Sequence, residues 1–329
     1  MAVLVCGGAG YIGSHAVVDL VRRGEDVIVI DNLKTGHAGS LHENVRFYEG
    51  DIRDFDFLEK VFDENEVDTV IHFAADSLVG ESVQNPLAYY DNNVYGALCL
   101  LKMMKKHQVH RIVFSSTAAT YGEPENIPIL ETDPTNPTSP YGETKLAIER
   151  MLKWSSVAYG LNFIVLRYFN VAGAHLEADI GEDHTPETHL IPLILQVALG
   201  KREKIMIFGD DYPTEDGTCI RDYIHVTDLV SAHLLAVDKL RNGGGNGTYN
   251  LGNGNGFSVK EVIETARKVT QKEISAEVAP RRAGDPAKLV ASSLRAKEEL
   301  GWNPQHSSME EMIQSAWKWH QQHPEGYKN

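Results

Sequence analysis

The sequence predicts an α/β protein, in which a doubly wound parallel sheet is joined to a smaller carboxyl-terminal substrate-binding lobe. Through the first 170 residues, short runs rich in Val, Ile and Phe alternate with longer helical patterns. A glycine-rich turn directly follows the first of these runs, and after residue 170 the alternation gives way to turns and shorter apolar segments. We therefore expect a sheet-forming domain over residues 1–170 and a lobe over residues 171–329, with some lobe segments returning to the sheet.

The predicted strands are nearly continuous in apolar residues, which is typical of parallel strands covered by helices on both faces. In chain order they are Val3–Cys6, Asp26–Ile30, Val45–Glu49, Thr69–Phe73, Arg111–Ser115 and Phe163–Tyr168. The helices predicted between them are His15–Arg23, Phe55–Asn65, Leu87–His107 and Tyr141–Ala158. This alternation indicates βαβ units and hence a doubly wound sheet.

The carboxyl-terminal portion carries its own turn and helix signals. Arg241–Gly256 is rich in Gly and Asn, which predicts surface turns around a short strand, Thr248–Leu251. Ser258-Val-Lys-Glu261 has the pattern of a capping box that opens a helix, and Ser308-Met-Glu-Glu311 repeats that pattern near the end of the chain. We expect these segments to form the lobe beside the sheet.

Composition narrows the classes of function. The 329 residues carry a formal net charge of −15, which argues against broad binding to nucleic acid or anionic membranes. The cysteines, at positions 6, 99 and 219, form no CxxC pair and no His/Cys cluster of zinc spacing. The amino terminus lacks the basic start of a signal peptide, and no run of 18 apolar residues occurs. We expect a cytoplasmic protein, and we assign no metal site.

The glycine-rich turn predicts a dinucleotide site. Gly7-Gly-Ala-Gly10-Tyr-Ile-Gly13 follows a strand and leads into a helix, so its backbone can approach a pyrophosphate closely in the manner of a Rossmann fold. Asp31 ends the next strand, where its carboxylate can bind a ribose diol and would repel a 2′-phosphate. This favours NAD, although the cation of Lys34 leaves NADP open. Asp51 and Ile52 fit either adenine contacts or an ordinary strand end.

A tyrosine and a lysine four residues apart are the candidate catalytic pair. In a helix, Tyr141 and Lys145 would be neighbours on one face. A cation near the phenol would lower its pKa from about 10 toward the range of a general base. Spacing alone is a weak signal, because Lys145 is equally compatible with a solvated helix residue.

The order of these motifs, with Ser115-Ser-Thr117 between the glycine turn and the Tyr–Lys pair, resembles the extended short-chain dehydrogenase/reductases. Within that group the chain resembles the UDP-glucose/UDP-galactose 4-epimerases over essentially its whole length. The matching stretches are Gly7–His15, Ser139-Pro-Tyr-Gly-Glu-Thr-Lys145, Arg167-Tyr-Phe-Asn170-Val-Ala-Gly-Ala-His175, Asp211-Tyr-Pro-Thr-Glu-Asp-Gly217 and Arg221-Asp-Tyr-Ile-His-Val226.

The resemblance implies a mechanism with NAD that stays bound throughout. Tyr141 would remove the proton of the sugar 4′-hydroxyl while hydride leaves C4′ for the nicotinamide. Lys145 would lower the pKa of the tyrosine and hold the nicotinamide ribose. Thr117 would bond the reacting oxygen, although a strand-end hydroxyl is the alternative for it. The 4-ketose would then turn over and take hydride back on its other face.

The resemblance also implies the residues that bind cofactor and substrate. The cofactor contacts would be Gly7, Gly10, Tyr11, Ile12, Gly13, Asp31, Asn32, Asp51, Ile52, Phe73, Ala74, Ala75, Asn92, Tyr141, Lys145 and Tyr168. The UDP-hexose contacts would be Thr117, Asn170, His189, Leu190, Phe208, Arg221, Arg282, Asp285 and Leu289. The two arginines would bind the UDP phosphates, for which bidentate guanidinium groups are suited. Arg281, beside one of them, is equally compatible with a surface charge.

Three positions depart from parts of the family. Ser77 stands where some members carry a Lys that reaches the cofactor, and His189 stands where others carry an Asn; a neutral imidazole can still donate or accept there. Leu289 stands where a large Tyr is associated with rejecting N-acetylated sugars. We hypothesise some interconversion of UDP-GlcNAc and UDP-GalNAc beside the main activity.

Single residues help to distinguish the other functions that this scaffold could have. A nucleotide-sugar 4,6-dehydratase needs an Asp-Glu pair after the catalytic Thr, whereas this chain has Ala118 and Ala119. An epimerase for UDP-uronates or UDP-pentoses shares the catalytic residues and stays open. A non-catalytic NAD sensor would not need them, and a net dehydrogenase would accumulate NADH. Long helices at Leu87–His107 and Tyr141–Ala158 pair subunits in relatives, so we expect a homodimer.

Overall fold

The secondary structure is taken from a computed structural model, which describes residues 1–282 and 285–327. The strands are β1 Ala2–Cys6, β2 Val27–Asp31, β3 Arg46–Glu49, β4 Val67–His72, β5 Arg111–Thr117, β6 Asn162–Tyr168, β7 Asn170–Ala172, β8 Ile205–Phe208, β9 Ile220–Arg221, β10 Tyr223–His225, β11 Gly247–Leu251, β12 Phe257–Ser258, β13 Ala276–Ala279 and β14 Lys288–Leu289. The α-helices are α1 Tyr11–Arg22, α2 Phe55–Glu64, α3 Val79–Gln84, α4 Pro86–Tyr89, α5 Gly96–Lys106, α6 Pro140–Tyr159, α7 Leu190–Ala198, α8 Val226–Arg241, α9 Val259–Thr270, α10 Leu294–Leu300 and α11 Met309–Gln322.

A seven-stranded sheet organises the fold. Its strand order is β11-β6-β5-β4-β1-β2-β3, and every neighbouring pair is parallel. The order reverses beside β1, which creates the crevice where doubly wound sheets bind ligands. The predicted doubly wound parallel sheet is therefore confirmed.

Apolar residues cover both faces of this sheet. Along β1, Val3 and Val5 belong to the core formed with α1 and α8. Leu4 and Cys6 point the other way and belong to the core formed with α2, α5 and α6. Because side chains alternate along a strand, an apolar residue at every position of β1 buries both faces, which is what the continuous apolar run predicted.

Local boundaries differ from the prediction at two helices. The first helix begins at Tyr11 and not at His15, because Gly10 has extended backbone at the N-cap and Gly13 is already helical. The predicted helix Leu87–His107 is interrupted by a π-helical segment, Tyr90–Tyr95, between α4 and α5. Such a segment depends on hydrogen bonding five residues apart and has no composition signal.

Three further helices form a third core beside the sheet. Helices α7, α9 and α11 bury Ile194, Ile263 and Met312 together. Both predicted capping boxes are present: the hydroxyls of Ser258 and Ser308 accept from the N–H groups at the third position of α9 and α11. Among the helices of residues 1–282 and 285–327, none is long and apolar enough to cross a membrane.

Candidate active site

A cavity of about 1090 Å³ lies at the carboxyl ends of the sheet strands and is closed on its far side by the lobe. Ligand sites of doubly wound sheets lie at this edge. The predicted site residues that line it are Gly7, Gly10, Tyr11, Ile12, Gly13, Asp31, Asn32, Asp51, Ile52, Phe73, Ala74, Ala75, Asn92, Thr117, Tyr141, Lys145, Tyr168, Asn170, His189, Arg221, Arg282, Asp285 and Leu289. The two ligand ends predicted from sequence thus share one space.

Of the predicted site residues, all of which the structure describes, Leu190 and Phe208 lie outside the cavity lining. Leu190 begins α7 and packs against the core of the lobe. Phe208 ends β8 and lies beneath Arg282, whose guanidinium carbon is 4.1 Å from the ring centroid. Phe208 therefore positions an arginine of the cavity, an indirect role that sequence matching does not distinguish from ligand contact.

The turn between β1 and α1 accepts only glycine at two positions. Gly7 has φ +82°, and a Cβ there would lie 2.6 Å from the backbone nitrogen of Ala74. A Cβ on Gly13 would lie 2.0 Å from the carbonyl oxygen of Gly7. Among the described residues no side chain caps the first turn of α1, and that turn contains no acid. Its N–H groups and helix dipole are therefore available to a pyrophosphate.

Carboxylates line the end of the cavity that the sequence predicts for adenosine. Asp31 accepts hydrogen bonds from the N–H groups of Ala9 (3.0 Å) and Leu33 (2.8 Å), so two of its roughly four acceptor sites remain for ribose hydroxyls. Burial raises the pKa of Asp31, although these hydrogen bonds oppose it. The ammonium of Lys34 lies 2.7 Å from an oxygen of Asp76, so this cation is neutralised in place. The arrangement favours a free ribose over a phosphorylated one.

The Tyr–Lys pair lies in the first two turns of α6. Ser139 caps this helix by accepting from the N–H of Gly142 at 3.2 Å, and Pro140 occupies its first position. Lys145 is buried and donates to the carbonyl oxygen of Ser115 at 2.8 Å. Its ammonium lies 6.0 Å from the ring centroid of Tyr141. The predicted adjacency on one helical face is thus present.

The predicted direction of the Tyr141 pKa is wrong for this structure. Burial raises the pKa of Tyr141 to about 12, and the hydroxyl of Thr117 opposes that shift. Burial also lowers the pKa of Lys145 to about 7, with the nearby Glu149 carboxylate opposing it. Desolvation is the largest influence on the pKa of each group.

Thr117 ends β5 and lies at the same cavity wall. Its side-chain oxygen accepts from the N–H of Ala119 at 3.1 Å, which fixes the hydroxyl at the strand end. Ala118 and Ala119 also line the cavity and bring no proton-transferring group to it. Tyr141, Lys145 and Thr117 therefore face one cavity, and the two positions after Thr117 lack the acid pair of a dehydratase.

A buried ion pair behind Lys145 was not found by sequence reasoning. Glu149 follows Lys145 by one helical turn and accepts from Nε of Arg167 at 3.0 Å and from the hydroxyl of Ser116 at 2.6 Å. The Glu149 and Arg167 side chains are 9% and 7% exposed. The guanidinium carbon also lies 4.8 Å from the ring centroid of Tyr121. The repeat Tyr141, Lys145, Glu149 at i, i+4 spacing was the available signal.

Two arginines supply positive charge at the end of the cavity that the sequence predicts for the substrate. Arg221 forms an ion pair with Asp285, and both side chains are largely buried at the cavity. Arg282 lies on the face of Phe208 and also lines the cavity. Arg281 instead points to Asp211, 2.6 Å from its carboxylate, and stacks on the ring of Tyr212. This resolves the sequence ambiguity, because Arg281 is engaged at the surface.

His189 is not the neutral contact that the sequence suggested. It is the N-cap residue of α7, and its Nδ1 lies 2.9 Å from Glu182 and 3.0 Å from Glu187. Burial lowers the pKa of His189, but the two carboxylates outweigh it and raise the pKa to about 10. Ser77, the other departure, lines the cavity and contributes no charge.

Known proteins are similar to this chain over essentially its whole length. Residues 3–252 match the NAD dependent epimerase/dehydratase family. A UDP-glucose 4-epimerase of Halalkalibacterium halodurans is 63% identical, covering 99% of this chain and 98% of the relative. A solved structure of a UDP-glucose 4-epimerase has 62% identity and a TM-score of 0.99, with full coverage of both chains.

A second solved structure carries ligands. The UDP-glucose 4-epimerase of Bifidobacterium longum, solved in complex with NAD+ and UDP, is 42% identical. Its TM-score is 0.94, and the match covers 99% of this chain and 100% of that one. The chain therefore belongs to the NAD dependent epimerase/dehydratase family and, within it, to the group of the UDP-glucose 4-epimerases.

Proposed function

We propose that this chain reversibly epimerises UDP-glucose and UDP-galactose at C4′. The observation that carries the proposal is one cavity that holds Tyr141, Lys145 and Thr117 between a glycine turn and two arginines. Full-length similarity to UDP-glucose 4-epimerases supports the same activity. Such a cavity positions a reacting sugar hydroxyl between a proton acceptor and a tethered diphosphate.

The residues present fit a resident dinucleotide. The glycine turn and the uncapped start of α1 would hold its pyrophosphate, Asp31 its adenosine ribose and Lys145 its nicotinamide ribose. Bound NAD would supply a reversible hydride acceptor for C4′ of the sugar. Because the oxidation is undone within each cycle, the reaction consumes no cofactor.

The chain's own groups handle the proton. Tyr141 takes the proton of the 4′-hydroxyl as the 4-ketose forms and returns it when the sugar is reduced on its other face. The ammonium of Lys145 stabilises the phenolate formed in that step, since an opposite charge nearby favours the ionised form. Thr117, which already interacts with the phenol, donates a hydrogen bond to the reacting oxygen.

The two arginines anchor the diphosphate while the sugar turns. Arg221 is held by Asp285, and Arg282 is supported from below by Phe208. Guanidinium groups fixed in this way lose little rotamer freedom when they bind phosphate. A ketose released from its 4′-contacts can therefore rotate while its nucleotide stays in place.

One experiment tests the proposal directly. Purified protein is incubated with UDP-galactose, without added NAD, and the products are identified. Formation of UDP-glucose without NADH in solution supports the epimerase, whereas net oxidation or a 4-keto-6-deoxy product overturns it. UDP-glucuronate and UDP-xylose, tested in parallel, distinguish the related sugar epimerases by their relative turnover.

Tyr141→Phe separates an enzyme from an NAD sensor. Removing the hydroxyl should lower turnover by at least about 100-fold, because a positioned acid–base group contributes at least that much. Nucleotide binding should be largely retained, since the ring remains. Tyr48→Phe is the control, because Tyr48 bonds to Glu64 and Asn65 away from the cavity. Full activity of Tyr141→Phe would overturn the assignment.

We also propose activity on UDP-GlcNAc and UDP-GalNAc, on the strength of Leu289. This residue ends β14 and lines the cavity, where its side chain is smaller than the Tyr of stricter relatives. Leu289→Ala should raise the ratio of N-acetyl to plain-sugar turnover, and Leu289→Tyr should lower it. The hypothesis is wrong if the native enzyme has no N-acetyl activity and Leu289→Ala gains none.

A homodimer is the proposed assembly. Two neighbouring segments leave large apolar side chains in solvent: Val83 and Leu87 on α3 and α4, and Trp154 and Val157 on α6. Trp154 is 70% exposed and Leu87 is 79% exposed. Contiguous apolar surface of this kind marks an interaction site. Light scattering should give twice the chain mass, and Trp154→Glu should shift the protein toward the monomer; a monomeric native protein would contradict the proposal.

A further inference from the structure

Four side chains with metal-ligating atoms meet at one edge of the cavity. They come from a single segment with the pattern Glu-x-His-x-x-Glu-x-His. We refer to this group as the His/Glu cluster, and its members are Glu182, His184, Glu187 and His189. One ligand atom from each lies within 4.8 Å of all the others. The cluster contains no cysteine, so Cys/His zinc spacing does not predict it.

The distances in the cluster suit a small cation. Nδ1 of His189 lies 2.9 Å from an oxygen of Glu182 and 3.0 Å from one of Glu187. Nδ1 of His184 lies 3.2 Å and 3.6 Å from oxygens of the same two carboxylates. Four ligands at about 2.0–2.1 Å from a tetrahedral Zn²⁺ are about 3.3–3.4 Å apart. The observed separations bracket that value.

The cluster joins two buried carboxylates to two imidazoles that reach the cavity, and the His184 and His189 side chains are 24% and 45% exposed. The Glu182 and Glu187 side chains are each only 6% exposed. The Nδ1 atom of His184 is buried and has no hydrogen-bond partner among the described residues, although carboxylate oxygens are near it. The two buried carboxylates offer the negative charge that one divalent cation neutralises.

We propose that the His/Glu cluster binds one divalent transition-metal ion, with Zn²⁺ as the best-fitting cation. Two imidazole nitrogens and two carboxylate oxygens are ligands that Zn²⁺ accepts in tetrahedral geometry. Hard cations such as Mg²⁺ prefer six oxygen ligands and fit poorly. Binding replaces the protons of the imidazoles by a metal of equal total charge.

The site would tie two parts of the cavity wall together. The ring of His184 lies edge-on to Tyr11, with centroids 6.2 Å apart. Tyr11 begins α1 and donates from its hydroxyl to the carbonyl oxygen of Gly173 at 2.6 Å. A metal held by the cluster therefore fixes the segment that packs on the start of α1.

Co²⁺ titration tests the inference without relying on catalysis. Untagged full-length protein is stripped with EDTA, dialysed and titrated with Co²⁺ at pH 8, and proton release is recorded in parallel. We expect one equivalent with the strong visible absorption of four-coordinate Co²⁺, displaced by one equivalent of Zn²⁺. Absence of a stoichiometric site, or weak octahedral absorption alone, would overturn the proposal.

Variants locate the binding. His184→Gln and Glu182→Gln should weaken Zn²⁺ affinity by more than the roughly 10–100-fold that loss of an outer-shell partner costs. His110→Gln is the matched control, because His110 is exposed in the turn before β5 and lies outside the cluster. Zn²⁺ should also raise the unfolding temperature of the native and control proteins but not of His184→Gln. Equal Zn²⁺ affinity in His184→Gln and the native protein would refute the site, whatever the epimerase activity.

Discussion

Glu149→Gln removes a buried negative charge one helical turn from Lys145. In the native protein this carboxylate raises the pKa of Lys145 against the effect of burial, and the net value is about 7. The same carboxylate pairs with Arg167 and accepts from Ser116. The substitution therefore withdraws electrostatic support from the ammonium and leaves a buried guanidinium without its partner.

The size of the effect follows from Coulomb's law. The Cβ atoms of helical neighbours four residues apart are about 6 Å from one another, and we take this as the separation of the two charges. With an effective dielectric constant of about 20, two unit charges at that distance interact by roughly 2.8 kcal/mol, which corresponds to a change of about two in the pKa of Lys145. The unpaired guanidinium of Arg167 acts in the same direction. Loss of one partner from a buried pair also lowers the free energy of unfolding by about 3–5 kcal/mol.

The pH profile of epimerisation measures this effect. If turnover needs the Lys145 ammonium, it declines as pH rises through the pKa of that group. Glu149→Gln lowers that pKa, so the alkaline limb of the kcat profile should move toward lower pH by about two units. Urea unfolding measured on the same preparations gives the loss of stability.

A double variant separates the two effects. The double variant Glu149→Gln with Arg167→Met removes both charges. The alkaline limb of its kcat profile should therefore move less than that of Glu149→Gln, and its free energy of unfolding should be larger. Glu310→Gln, in the exposed first turn of α11, is the control for removal of a carboxylate. If Glu149→Gln loses stability while its alkaline limb stays at the native pH, the carboxylate is structural and does not act on Lys145.

Three further outcomes follow from the same geometry. Lys145→Met should abolish turnover and raise the free energy of unfolding by about 2–4 kcal/mol at pH 6. The gain should shrink at pH 9. Because burial lowers the pKa of Lys145 in the folded state, the unfolded chain binds more protons there, and the native protein gains stability as pH rises. Equal urea midpoints with the native protein at pH 6 would contradict it. Gly13→Ala should yield protein with little retained NAD, measured after denaturation, since its Cβ would lie 2.0 Å from the carbonyl oxygen of Gly7; native NAD content refutes this. Thr117→Val should lower kcat on the order of 100-fold, and an unchanged kcat would remove its catalytic role.

Features set by short-range sequence were predictable here. The sheet strands, the glycine turn and both capping boxes each depend on residues within one element or its immediate neighbours, and the structure contains them. The edge strand β11 was predicted, but its place beside β6 in the main sheet was not, because pairing partners are not encoded in a strand's own composition. The Glu149–Arg167 pair, which joins α6 to β6, could not be predicted for the same reason. Such contacts follow from topology and could be inferred only once the sheet order was known.

The Tyr141–Lys145 pair shows where spacing stops being informative. Four residues in a helix bring the side chains together, but the direction of a pKa shift depends on how strongly each group is desolvated. Here burial raises the pKa of Tyr141 to about 12 and lowers that of Lys145 to about 7, so it favours the neutral form of each group. The proton relay that the spacing predicted therefore depends on the burial of the two groups as well as on their separation.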